Sequence, residues 1–291
     1  MKKFVSLVMA GAMIASMAVA ANAVYEAEAD AGKVAFDVPK ARVDVKFDGV
    51  ITEGEYYPIE LKDSWISYAA NVDAGIETGK ALEKELYMSW DDDGINLATV
   101  VYLDEADYVQ TQDAANMWNE ACIQVNFAAA DAVGQDRLEY GIAKSTADDS
   151  FLGNVWAQKN DTYTPAEGDN AYVGYSDGKL VYETSVDWDY FLDAAAAEGD
   201  EIGFCVVWSI GTAPDYIHVQ LAHGCTGDPG KAADGFAKLS LVAAPEIVEP
   251  EEPATEGGEQ AAQTADFGII VSAVLFAASA AGVVVATRKK H

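Results

Sequence analysis

Basic residues are scarce in this chain: 18 Lys and Arg face 48 Asp and Glu, a net charge of −30. Binding nucleic acid takes clustered cations that neutralise phosphates, so this charge balance excludes a nucleic-acid partner. Cysteine is sparse as well, with 3 residues, Cys122, Cys205 and Cys225, that cannot all pair within one chain. None of them has the close spacing of a zinc site. Of the 3 histidines one is the last residue, His291, which leaves His218 and His223 in the body of the chain. No H-E-x-x-H helix is present, and the one G-x-S-x-G match, Gly174–Gly178, falls on the Asp177-Gly178 turn between two strand patterns rather than on the strand-to-helix elbow of a nucleophile turn, so neither hydrolase nor metalloprotease chemistry is indicated. What is present is apolar: a hydrophobic content of 51% excludes an acidic disordered polymer.

Part of that apolar content lies at the two ends. Met1–Ala23 has a basic start at Lys2 and Lys3, an apolar run from Phe4 to Ala20, and the small-residue triplet Ala21-Asn22-Ala23. This is the pattern of a secretory signal peptide cut after Ala23. Phe267–Thr287 carries no charge and is followed by Arg288, Lys289 and Lys290. About twenty residues at ~1.5 Å each cross a hydrocarbon core, and a basic tail stays in the cytoplasm. The expected topology is a single-pass surface protein with an outward body and a tail at 288–291. Between body and helix, Ala244–Asp266 holds three prolines and six glutamates, Pro245 and Glu246 among them, and reads as an extended spacer. Gln263-Thr264-Ala265-Asp266, an apolar helix and a basic tail resemble the cell-wall sorting signal of Gram-positive surface proteins, although the Leu-Pro pair is absent and Ala265 stands where Gly is usual.

Lys33–Ala243 remains for one domain, and period-two alternation dominates it. Leu86, Met88 and Trp90 alternate, Asp91-Asp92-Asp93-Gly94 turns, and Ile95, Leu97, Thr99, Val101 and Leu103 alternate again, as a hairpin does. Tyr172–Tyr175, the turn at Asp177-Gly178, and Leu180–Trp188 predict a second hairpin. Ile123, Val125 and Phe127 share one strand face, and Ile202–Ile210 reads as a central strand covered on both sides. Only Tyr190–Ala197 looks helical. The expectation is an all-β, antiparallel, jelly-roll-like β-sandwich.

Within that fold Cys122 and Cys205 fall on apolar strands, either as free thiols packed like small hydrophobes or as a Cys122–Cys205 disulfide. The Asp91–Gly94 run serves as a turn or as part of a Ca²⁺ site, but it lacks the later bidentate Glu of an EF-hand loop, and a structural Ca²⁺ elsewhere is the remaining metal expectation. Aromatics carry more information. Trp90, Trp188 and Trp208 lie in strand patterns and read as core, whereas Trp118 and Trp156 lie at loop edges, where a flat ring can stack on the C–H face of a sugar.

These pieces together resemble family 9 carbohydrate-binding modules and their DOMON-like relatives. Val45–Tyr56 looks like the family's opening strand, "I-D-G-x-I-D-E-x-E-W". Leu86–Asp92 with Leu97 is similar to its "W-D" hairpin, and Met117–Phe127 to "P-W-x-x-D-x-V-E-I-x-I-D". Tyr182–Trp188, Glu201–Phe204 and Gly235–Leu241 resemble the later motifs in the same order. The resemblance implies a sandwich that holds a sugar between two tryptophans. By position Trp118 matches the first tryptophan and Gln124 a ligand-binding Glu. Ala121 replaces the family's Asp, no Trp occurs between Val219 and Ser240, and Thr226-Gly227-Asp228-Pro229 stands where the second would begin, which leaves His223 to supply that face.

The expected function is therefore a surface-displayed, non-catalytic module that binds a poly- or oligosaccharide through Trp118, Gln124, Trp156 and His223 and assists glycoside hydrolases. Two other readings share the fold. One is an envelope protein that binds other surface proteins. The other is a haem-binding DOMON relative with Met88, Met117, His218 and His223 as candidate axial ligands.

Overall fold

The structure is a computed structural model that describes residues 24–158, 163–225 and 231–246. The expected signal peptide, transmembrane segment and basic tail, nearly all of the expected spacer, and residues 226–229 lie outside the described residues. Among the described residues no helix is long and apolar enough to cross a membrane.

Strands β1 (Val24–Ala27), β2 (Ala35–Pro39), β3 (Tyr57–Ile59) and β4 (Ile66–Ala70) precede helix α1 (Asp73–Ala81). Then come β5 (Lys84–Trp90), β6 (Gly94–Tyr102), β7 (Cys122–Ala129), β8 (Leu138–Lys144) and β9 (Phe151–Ala157). The chain continues through β10 (Ala171–Ser176), β11 (Lys179–Asp187), β12 (Glu201–Thr212), β13 (Asp215–Leu221) and β14 (Ala237–Val242). They form two sheets, antiparallel throughout except for the parallel pair β2–β14. The larger has the order β1-β4-β13-β12-β7-β8-β9 with β14 and β2 attached at β12, and the smaller the order β10-β11-β6-β5-β3.

Both expected hairpins form. In the first, Asp91 Oδ1 accepts the backbone N–H of Asp93 and of Gly94, each at 2.9 Å, and Oδ2 accepts from Asn96 at 3.0 Å, so this carboxylate is spent on the turn. In the second, Asp177 and Gly178 have φ of +51° and +76°, the type I′ geometry that matches the right-handed twist of paired strands. The main core lies between the sheets: Ile123, Val125 and Phe127 of β7 and Phe204, Val206 and Trp208 of β12 meet Leu97 of β6 and Tyr182 of β11. Trp90, Trp188 and Trp208 are buried, as their strand positions imply.

Three elements differ from the sequence reading, each for a physical reason. Helix α1 contains Gly75 and Gly79, which cost about 1 kcal/mol each relative to Ala in a helix and hide it from a propensity argument. Their use is contact: a Cβ on Gly75 would sit 2.7 Å from the Ala70 methyl, and one on Gly79 3.2 Å from Ile217, Tyr68 and Val219. Tyr190–Ala197 is not a helix, and after the 3₁₀ turn Trp188–Tyr190 only Phe191 is buried, so its alanines have no face to cover. Val45–Tyr56 is turns rather than a strand, laid over the outer face of the smaller sheet, where Gly49 N–H donates to Glu183 at 2.5 Å. The folded unit also starts earlier than Lys33, because β1 pairs with β4 from Val24.

The cysteine pairing is a further correction. Cys122 is in register with Ser209, and Cys205 with Asn126, so the two cysteines are offset by four residues, about 13 Å, on neighbouring strands. That is beyond the ~7 Å Cα reach of a disulfide. Cys205 instead bonds Cys225, and Cys122 is a buried free thiol that burial pushes up to about 12. A loop with a sequence separation of 20 stabilises by about 3 kcal/mol in the chain-entropy account. Thiol titration should therefore find no reactive cysteine in the native unreduced protein, one per chain in denaturant, and three after reduction. Three thiols released by denaturant alone would contradict the pairing.

Candidate functional site

Alternation along β7 sends Ile123, Val125 and Phe127 into the sandwich and Cys122, Gln124 and Asn126 to the far side of the larger sheet. That far side is also buried, and every polar group on it needs a partner in place of water. Gln124 donates to Ser209 Oγ at 3.1 Å, and Gln220 to Ser67 Oγ at 2.8 Å. Arg137 donates to Asn126 Oδ1 at 3.1 Å and to Glu139 at 2.6 Å, while Lys231 reaches the other Glu139 oxygen. Burial pushes the Lys231 ammonium down, and Glu139 opposes that shift. Gln124 Oε1 and Asn126 Nδ2 have no partner among the described residues.

Trp118 sits where this face ends, in the 3₁₀ turn Met117–Asn119 that leads into β7. The turn is built from below. Buried Gln110 donates to the carbonyls of Met117 at 3.0 Å and Ala121 at 2.9 Å, and Met117 fills an apolar cluster with Cys122 and Ala143. The half-buried Trp118 ring meets Tyr216 edge-on at 5.6 Å and His218 at 6.1 Å, and these two β13 rings stack at 4.6 Å. Burial pushes His218 down to about 4, so it is neutral at neutral pH, and its Nε2–H donates to the Trp118 carbonyl at 3.0 Å. The result is a fixed three-ring cluster with the indole at its rim.

The other expected site residues divide. Trp156 lies within β9 rather than in a loop, and its ring crosses Gly141, where a Cβ would come within 2.6 Å of it. Its indole N–H donates to the Ala115 carbonyl at 3.2 Å. Gly141 is in register with Gln124, so Trp118, Gln124 and Trp156 share one face. Gln124 is fully buried, and its amide serves the network described above. His223 lies at the opposite end of the sheet, five residues or about 17 Å beyond His218, with Nδ1 at 2.5 Å from the Tyr25 hydroxyl. Tyr216 and His218, rather than His223, stand beside the tryptophan. The strand pattern of Asp215–Leu221 and the β12–β13 turn were the signal for this, since together they fold those rings back against the start of β7.

Of the haem candidates, Met88 is inside the sandwich and His223 stands at the far end of the larger sheet, whereas Met117 and His218 are both buried behind that sheet, His218 with Nε2 bonded to the Trp118 carbonyl. Among the described residues no three His, Cys, Asp or Glu side chains come together as a metal site would require.

Two buried groups set opposing pH dependences. Desolvation pushes Glu183 from 4.5 up to about 7, with the Gly49 hydrogen bond opposing and Asp48 reinforcing the shift. His218 moves from 6.5 down to about 4. As pH rises from 4.5 to 7 the unfolded chain loses a Glu183 proton that the fold retains, so that group's stabilisation declines. As pH falls from 6.5 to 4 the unfolded chain gains a His218 proton that the fold refuses, so that contribution declines too. The two slopes oppose each other where the windows overlap. Denaturation midpoints of Glu183→Gln should therefore drop on acidification below pH ~6.5, and those of His218→Gln should drop on raising the pH toward ~7. A Glu183→Gln profile that tracks the unsubstituted protein would contradict this assignment.

No protein-family model matches the chain, and no curated protein matches it. Among solved structures it is similar to a family 9 carbohydrate-binding module from Caldicellulosiruptor kristjanssonii in complex with cellotriose, at 13% identity and a TM-score of 0.48, over 75% of this chain and 100% of that one. It is also similar to a family 9 module from the same organism in complex with glucose, at 12% identity and a TM-score of 0.48, over 74% of this chain and 99% of that one.

Proposed function

We propose that this chain is a non-catalytic carbohydrate-binding protein held outside a Gram-positive cell, where it retains a poly- or oligosaccharide near hydrolases. The observation that carries the reading is the Trp118 ring, half-buried at the rim of the larger sheet and fixed edge-on against Tyr216 and His218. A sugar presents a flat C–H face that stacks on such a ring, and a ring already immobilised loses little conformational entropy on binding. The order of the family 9-like motifs along the chain supports the same reading. Export and tethering are proposed from the apolar ends and the Pro/Glu spacer.

Trp118→Ala tests the reading. By analogy with base stacking on aromatics, one lost stacking face removes about 1–3 kcal/mol, enough to abolish retention on an insoluble polysaccharide. The expected result is a folded variant that washes through a column on which the unsubstituted protein is retarded. Equal retardation of the two would refute the role of Trp118.

A further inference from the structure

The loops at the Trp118 end of the sandwich also enclose a cavity of about 490 Å³ that none of the expected site residues lines. Its volume lies within the ~300–1,000 Å³ of small-molecule sites. We propose that this cavity is a second sugar-binding site, for a neutral pyranose unit of the glycan held at Trp118. The proposal rests on the carbohydrate reading above and extends it to residues with no part in the family resemblance.

One wall is aromatic and preformed. Tyr108 and Tyr175 stack at 4.9 Å. Their hydroxyls are tied to backbone carbonyls, Tyr108 to Lys144 at 2.9 Å and Tyr175 to Leu103 at 3.0 Å. Tyr172 lies across two glycines: a Cβ on Gly49 would come within 2.7 Å of its ring, and one on Gly174 would collide with its hydroxyl. Side chains at either position would displace the ring from the strand, so the glycines hold it where it borders the cavity.

The rest of the lining is polar. Lys144 is 3.5 Å from the carboxylates of Asp149 and Glu167, at the outer limit of a hydrogen bond, so its ammonium keeps donor capacity for a ligand. Asp149 supplies an acceptor from a turn closed by Ser145 N–H to Ser150 O at 2.8 Å and Asp149 N–H to Ser145 O at 3.0 Å. It does so at φ +61°, a left-handed conformation that disfavours a side chain. A lining that combines aromatic rings with an ammonium and a carboxylate matches the C–H faces and hydroxyls of a sugar. The carboxylates beside Lys144 disfavour an anionic sugar acid.

The cavity and Trp118 share a scaffold. Thr146 N–H donates to Gln110 O at 2.8 Å, and Gln110 in turn carries the Met117–Asn119 turn. One glycan chain touching both places gains effective concentration at the second after binding the first.

The test is calorimetric titration of the full chain with cellohexaose, xylohexaose, mannohexaose and maltohexaose. The variants are Trp118→Ala, Tyr172→Ala and Asp149→Gly, each checked for folding by thermal melting. Glycine suits a positive φ, so Asp149→Gly should fold at least as well as the parent and keeps the test valid if Tyr172→Ala does not fold. The expected result is that Trp118→Ala and Asp149→Gly each weaken the same hexasaccharide about tenfold or more. Loss with Trp118→Ala alone would overturn the cavity proposal and leave the first reading intact. Loss with the cavity variants alone would support the cavity and overturn the Trp118 assignment. A parent protein that binds none of the four overturns both.

Discussion

The central strands β7, β8 and β12 of the larger sheet are buried on both sides along most of their length, and most of the structure follows from that constraint. The sheet's inner side packs Ile123, Val125 and Phe127 of β7 against the smaller sheet, while its outer side buries Gln124, Asn126, Glu139 and Ser209. Polar groups deprived of water must find partners or cost a few kcal/mol each. Arg137 and Lys231 therefore converge on Glu139, and Gln124 is committed to Ser209. A buried ion pair of this kind adds little net stability but penalises any register that breaks it. The network fixes where β7 begins, and with it the turn that displays Trp118.

The same rule explains the smaller sheet. Its outer face is covered in part by the 45–56 turns, which bury Glu183 under Gly49 and leave the carboxyl protonated to about 7. Loops at the other end of the molecule's strands face solvent instead, and Trp118, the Tyr108–Tyr175 stack and the Lys144–Asp149 turn collect at one such end. Strands as a scaffold and end loops as the binding surface form a common division in sandwiches, because only the loops can vary without disturbing the two-sided burial.

Elements set by local pattern were legible in the sequence. Both hairpins, the doubly covered β12 and the buried Trp90, Trp188 and Trp208 follow from alternation and Asp-Gly turns alone. Features set by register between distant strands were not. The Cys205–Cys225 bond, the burial of Gln124 and the apposition of Tyr216 and His218 to Trp118 all depend on which residue of β12 faces which residue of β7 and β13. Helix α1 was missed because Gly75 and Gly79 weaken its local signal in return for close packing on β4 and β13. His223 was assigned by position in a motif order, and the β13 geometry carries it to the far end from Trp118.

The central claim is that the end of the sandwich bearing Trp118 is where a sugar is held. It is tested most directly by following the 6 tryptophan indole N–H signals by NMR while an oligosaccharide shown to bind is added. The account predicts that the Trp118 signal moves with saturating dependence on sugar, while those of Trp188 and Trp208, sealed in the core, stay in place. A bound sugar that leaves the Trp118 signal unmoved would contradict it.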